Sequence, residues 1–165
     1  MLNIIKDRRS TRKFLDTPIS NDDIRDILEA GMHAPSAMNE KAWQFVILEG
    51  DIMNTFLSIN TNTPKGAPVG ILICGDTEKE KFKDIYLKDC SAATQNMLLA
   101  IHSKNLGAVW TEIFAENFSQ VRDLLNLPEF LNPFAFIPIG YTAEELSSRE
   151  SRYDESIVHK NMYKK

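Results

Sequence analysis

The chain has 165 residues, 43% hydrophobic and 25% charged, with a formal net charge of -4 and an isoelectric point near 5.4. That length supports one domain with its own core, requiring neither disulfides nor a metal. The acidic balance argues against a general nucleic-acid binder, whose affinity comes largely from neutralising phosphates, and no run reaches the ~18–20 apolar residues that span a bilayer.

The N-terminus, MLNIIKDRRS, has only a short apolar group before charge begins. It lacks the h-region and cleavage site of a signal peptide, so the expected location is the cytoplasm. Residues 3–10 read as a short helix entering Arg8-Arg9-Ser10-Thr11-Arg12-Lys13-Phe14, which puts four cations into seven residues of an acidic chain. Thr17-Pro18-Ile19-Ser20 reads as a turn, with Ser20 capping a helix that carries Ile24, Ile27, Leu28 and Gly31 at helical spacing and stops before Pro35. Trp43-Gln44-Phe45-Val46-Ile47-Leu48-Glu49 predicts a strand. Asp51 is expected to cap the next helix, on which Ile52, Phe56 and Leu57 lie. Val69-Gly70-Ile71-Leu72-Ile73-Cys74 reads as a strand buried on both faces.

A long helix is predicted over 86–104, with an apolar face broad enough to call for burial between layers or at a dimer interface. Leu106-Gly107-Ala108-Val109-Trp110 is extended. Asn117 is expected to cap a helix through Val121, Leu124 and Leu125, ended by Asn126-Leu127-Pro128. The last strand is predicted over 134–141, and Pro138 assigns it an edge or strand-end position because proline cannot donate to a ladder. The final two dozen residues are polar, and are either loose or held by something outside their own core. Strands and helices mix without a regular βαβ rhythm, so the fold class is α+β. Cys74 and Cys90 lack CxxC spacing and are expected as reduced thiols.

Three groups of residues invite chemistry. In the basic cluster, guanidinium groups bind phosphate bidentately and hold their charge at any working pH. The same cations at a helix end also form a solvated face on the negative dipole terminus, and on residue chemistry alone the two readings stand level. Residues 34–45, APSAMNEKAWQF, read first as a plain helix-to-strand connection with Trp43 in the core; the alternative is a turn whose backbone approaches a flat ligand. Trp110-Thr111-Glu112-Ile113 and the tail arginines Arg149 and Arg152 carry no site by themselves. His33, His102 and His159 have no metal-site spacing. There is no G-x-S-x-G elbow, P-loop or G-x-G-x-x-G, which leaves hydrolase, kinase and Rossmann readings without an anchor.

Taken in order, RRSTRKF, APSAMNEKAWQF, APVGILICGD, ATQNMLL, LGAVW, PIGYTAEE and the terminal Arg152-Tyr153-Asp154-Glu155 with Val158-His159 resemble the nitroreductase family, in its short-chain, FMN-dependent branch. The resemblance runs from about residue 3 to the C-terminus. It implies one domain over residues 1–165: an α+β sandwich whose central, mostly antiparallel sheet is flanked by helices. It also implies an intertwined homodimer with two FMN sites at the interface, the segment from about 144 to 165 packing on the partner. By motif matching, Arg8 and Ser10 would hold the phosphate end of FMN with Arg9 nearby, and Arg12 would lie by the flavin pyrimidine ring. Pro35, Ser36, Ala37, Met38 and Asn39 would reach the flavin bound mainly by the other subunit. Trp110, Thr111, Glu112 and Ile113 would line the isoalloxazine near N5, and Arg149 and Arg152 would return to the phosphate.

The implied activity is an oxidoreductase passing electrons from NADH or NADPH to a nitroaromatic, a quinone or another small conjugated acceptor by a ping-pong scheme. Several arginines would offset a phosphate dianion that is otherwise costly to bury, and a cation at the N1/C2=O edge stabilises reduced flavin. The chemistry belongs to the cofactor, so neither a catalytic side chain nor a metal is expected. The sequence departs from the family pattern at Lys41-Ala42, where Gln-Pro is common, and at Glu112, where a small residue is frequent. Glu150 stands where a tail cation is usual, with Arg149 as its substitute. The alternatives are a flavin-binding or flavin-storage protein with little turnover, and a non-flavin interaction domain in which RRSTRKF is a docking patch.

Overall fold

The computed structural model describes residues 2–145 and 150–163. Helix α1 covers Leu2–Asp7, ending short of its expected limit because the Arg9 guanidinium turns back onto the Lys6 and Arg8 carbonyls (2.7 and 3.0 Å). The chain then runs extended: Ser10 bridges Ala108 in parallel, and β1, Phe14–Leu15, follows. Helix α2, Asn21–Met32, starts where Ser20 predicts, its hydroxyl accepting from the Asp23 amide at 3.1 Å, and it buries Ile24, Ile27 and Gly31.

Strand β2, Trp43–Glu49, leads directly into α3, Gly50–Ile59. Its N-cap is Glu49; Asp51 sits inside the first turn, where a carboxylate still complements the positive end of the helix. Strand β3, Val69–Asp76, is buried along its whole length, and α4 spans Tyr86–Ser103. Short strands β4, Gly107–Ala108, and β5, Thr111–Glu112, precede α5, Phe118–Leu125. Asn126 ends α5 in the left-handed conformation (φ 51°), and β6, Leu131–Thr142, closes the sheet.

Strand order is β1-β6-β3-β2, and the named strands pair antiparallel. β6 is the middle strand, which corrects the edge or strand-end position expected from Pro138. One side of β6 pairs along its length with β3; the other is shared by β1, β4 and β5 in turn. The Phe136 carbonyl faces β5, where Thr111 donates to it. Backbone direction alternates along a strand, so the nitrogen of Pro138 points the same way. There the ladder is interrupted: β4 ends at Ala108, opposite Ile139, and β5 resumes at Thr111, opposite Phe136. The proline sits where no donor is needed.

Side chains alternate across the sheet and build two cores. Ile71, Ile73, Ile137 and Ile139 face α2 and α4, with Ile27, Ala93 and Met97. Leu48, Leu72, Cys74 and Phe136 face α3 and α5, with Phe56 and Val121. Each fully buried large apolar side chain contributes about 1.5–3 kcal/mol. Gly70 lies under the Phe136 ring, which a Cβ there would overlap. Lys104, just past α4, closes the α2–α4 layer with ion pairs to Asp23 (2.8 Å) and Asp26 (2.6 Å). Among the described residues, no helix is long and apolar enough to cross a membrane.

Candidate functional site

The basic cluster divides into residues with different tasks. Arg9 is half-buried and serves the end of α1, its guanidinium donating to the Lys6 and Arg8 carbonyls. Thr11 is 1% exposed, its amide donating to the Ala108 carbonyl at 2.9 Å and its side chain lying over Gly107, where a Cβ would meet it at 2.6–2.7 Å. Arg12 donates its backbone N–H to Glu144 Oε2 at 3.1 Å, while its guanidinium lies 3.4 Å from the Ser10 carbonyl. Arg8 is half-buried and lines an open cavity of about 560 Å³ together with Asp7, Glu150, Arg152 and Tyr153. Its pKa is lowered by burial first, then by the charges of Arg9 and Arg152. Among the described residues, neither Arg8 nor Arg152 forms an ion pair. Two guanidinium groups facing one cavity without a paired carboxylate suit a multiply charged anion.

From the Ser10–Ala108 bridge, the edge segment runs along β6 to Glu112. At ~3.3 Å per residue, these four steps cover about 13 Å. Trp110 and Glu112 are exposed, whereas Thr111 and Ile113 turn into the core. The Thr111 hydroxyl donates to the Phe136 carbonyl at 2.9 Å and shares a hydrogen bond with Thr63 (3.0 Å), itself bonded by Asn60 (2.8 Å). Asn62 donates to the Glu112 carbonyl at 3.0 Å. Of the four residues expected here, Trp110 and Glu112 have exposed side chains. Together with the buried Ile113 they line an open cavity of about 380 Å³, with Tyr86, Phe118 and Phe134.

The 35–39 connection is built tightly. Trp43 is in the core, as the plain reading of this stretch expects. Met38, Asn39 and Lys41 all have left-handed backbones (φ 51°, 59° and 53°), each a strain of about 1–3 kcal/mol for a non-glycine residue. Ser36 Oγ accepts the Lys41 amide at 3.0 Å, Asp89 Oδ1 accepts the Ala37 amide at 2.9 Å, and Glu40 accepts the Lys81 amide at 3.0 Å. Pro35, Met38 and Asn39 are exposed. Asp89 lies near the start of α4, whereas Ser10 and Thr11 join the 107–108 segment that follows its end. The two groups thus hang from opposite ends of an 18-residue helix, which is ~27 Å long. Arg149 lies outside the described residues.

A sequence profile of the Nitroreductase family matches residues 5–65 and 56–141. The chain belongs to the nitroreductase family. A Methanothermobacter thermautotrophicus protein provisionally assigned as an NADH dehydrogenase/NAD(P)H nitroreductase is 37% identical over 164 residues, covering 96% of this chain and 85% of the relative. A crystal structure from Parabacteroides distasonis with the same provisional assignment superposes with a TM-score of 0.89 at 34% identity, covering 98% of each chain. A provisionally assigned nitroreductase from Desulfovibrio desulfuricans, solved in complex with FMN, superposes with a TM-score of 0.81 at 32% identity, covering 98% of this chain and 97% of that one.

The nitroreductase fold also brings in residues that motif reading passed over: Asp89, Asn62 and Thr63. Of these, Asp89 left a trace in the sequence. It stands on the stripe continued by Ala93 and Met97, and a carboxylate on an otherwise apolar stripe requires a partner.

Proposed function

We propose that this nitroreductase is an FMN-dependent enzyme that oxidises NADH or NADPH and works as a homodimer. The observation that carries the reading is that Arg8 and Arg152 line one cavity beside an aromatic-bordered edge about 13 Å long. Arg8 and Arg152 hold the phosphate, with Ser10 beside them, and the tail cation Arg149 joins the same anion. Arg9 holds the end of α1 and so fixes the direction in which Arg8 leaves it. Arg12 lies toward the pyrimidine edge, where a cation favours the reduced, anionic ring. Trp110 and Glu112 border the ring's reactive side, Ile113 lines the same cavity from the core, and Thr111 holds the strand beneath through its hydroxyl. Held there, FMN would supply the redox chemistry: two-electron transfer from NADH or NADPH to a nitroaromatic, quinone or similar small acceptor, donor and acceptor in alternating order and the acceptor's protons from the flavin and solvent.

Residues 35–39 serve the partner's flavin, as the family resemblance implies; in their own protomer they hang from the start of α4, at the far end of that helix from Arg8. A partner also accounts for the tail, in which Tyr153, Ile157, Met162 and Tyr163 are 73–79% exposed. Apolar side chains so placed need a cover, and the partner subunit provides it.

The test is an absorption spectrum of the protein reconstituted with FMN. NADH or NADPH is expected to bleach the band near the visible flavin maximum, and menadione or nitrofurazone to restore it. A flavin that stays oxidised under excess of both donors would favour storage without turnover. A protein that takes up no FMN would leave the docking-patch reading.

A further inference from the structure

We infer that Asp89 is a positioning residue for flavin binding: its buried carboxylate holds the 36–41 turn in the strained shape that meets the partner's cofactor. The inference rests on the flavin reading above and adds a residue that the motifs do not contain. Of the seven non-glycine residues with left-handed backbones among those described, three are Met38, Asn39 and Lys41. Such a cluster persists only where the surroundings over-determine it. Three ties do so here: Ser36 Oγ to the Lys41 amide, Glu40 to Lys81, and Asp89 to the Ala37 amide.

Asp89 differs from the other two ties in its burial. It is 3% exposed, whereas Ser36 and Glu40 are half-buried. A buried carboxylate is costly unless its oxygens are occupied, yet Asp89 Oδ2 is buried without a hydrogen-bond partner among the described residues. The first turn of α4 offsets part of the charge. Fold stability alone would be served as well by an apolar residue on this stripe. A retained acid, bonded by one oxygen to the backbone of a strained and exposed turn, is explained by the shape of that turn.

The experiment compares the full-length wild type with Asp89→Ala, Asp89→Asn and Ala37→Pro. FMN affinity is measured by fluorescence titration, and the Ala37 and Lys41 amides are followed by hydrogen exchange without flavin. Asp89→Ala is expected to weaken FMN roughly ten- to hundredfold, as for loss of a hydrogen bond to a charged group, and to speed exchange at Ala37 and Lys41. Asp89→Asn keeps an acceptor oxygen and is expected to retain FMN within about threefold. Ala37→Pro deletes the donor from the other side. Ser36 is already extended (φ -136°, ψ 153°), as a residue before proline must be, and proline is tolerated at the first position of a helical turn. This variant should match Asp89→Ala, and the double variant should be no worse than either. Unchanged FMN affinity in Asp89→Ala, a loss in Asp89→Asn equal to that in Asp89→Ala, or additive losses in the double variant would overturn the tether while leaving the flavin reading intact. A wild type that takes up no FMN would overturn both.

Discussion

Arg8→Ala separates an anion cradle from a structural arginine, because the two give opposite signs in the apo protein. Without flavin, Arg8 is half-buried beside Arg9 and Arg152, and both burial and those charges disfavour its charged form. Among the described residues no ion pair is lost on truncation, so apo stability should hold within about 0.5 kcal/mol or rise slightly. With FMN bound, the same truncation removes a charge-assisted contact to phosphate, a loss of about 1.5–3 kcal/mol, or roughly 10- to 150-fold in Kd. The assay is a fluorescence titration of apo protein with FMN and, separately, with riboflavin, alongside thermal melts of both forms. FMN affinity should fall while riboflavin affinity stays constant, and ligand-induced stabilisation should shrink in proportion. Inorganic phosphate should compete with FMN in the wild type and lose that effect in the variant. An equal loss for riboflavin, or an apo melting point lowered by many degrees with FMN affinity unchanged, would refute the phosphate assignment.

Three further outcomes probe the scaffold. The Asp23 pKa is lowered by its bond to Lys104 first and to Ser20 second, while the Lys104 pKa is raised by the same carboxylate and by Asp26. The lowered acid contributes stability above its ordinary value of 3.8 that is lost as pH falls through the folded value; the raised amine contributes stability below 10.5 that is lost as pH rises through its folded value. The melting-point deficit of Lys104→Met should therefore be widest between those limits and close toward pH 2; a pH-independent deficit would show that the ion pairs contribute nothing. Gly70→Ala should destabilise by about 1–3 kcal/mol in urea melts through overlap with Phe136, whose ring is held 4.5 Å from Phe56; an unchanged midpoint would contradict that packing. Burial pushes the Cys74 thiol up to about 12 and the Cys90 thiol higher still, so neither should react with a disulfide reagent until the protein unfolds, and native labelling of either would count against the described core.

The long elements were legible because burial on one face imposes a period: Ile24, Ile27 and Gly31 mark α2, and the uninterrupted apolar run of β3 marks a strand covered on both sides. The strands β1, β4 and β5 have two residues each, too few for any period to register. Pro138 misled for a physical reason. The rule that proline belongs at edges assumes continuous ladders, and β6 pairs on its second side with three short pieces that leave a gap opposite the ring. In the candidate site, RRSTRKF divides between two tasks. Arg9, half-buried, bonds the carbonyls at the end of α1, while Arg8, one residue earlier, lines a cavity. No composition rule distinguishes adjacent arginines; the direction of the chain leaving α1 does. Asp89 and Thr63 act on backbone and side chains about 50 residues away, a range that local spacing does not record.

The gap opposite Pro138 has a consequence for how this cavity can change over evolutionary time. Val109 and Trp110 fall between two ladder segments, fixed from one end through Ala108 and from the other through Thr111. Trp110 also faces outward, against Phe134 at 5.7 Å, so its replacement removes one ring contact and leaves the sheet pairing as it was. Under the proposed function, in which Trp110 borders the acceptor's place, preference among acceptors would drift at position 110 without any compensating change in the fold.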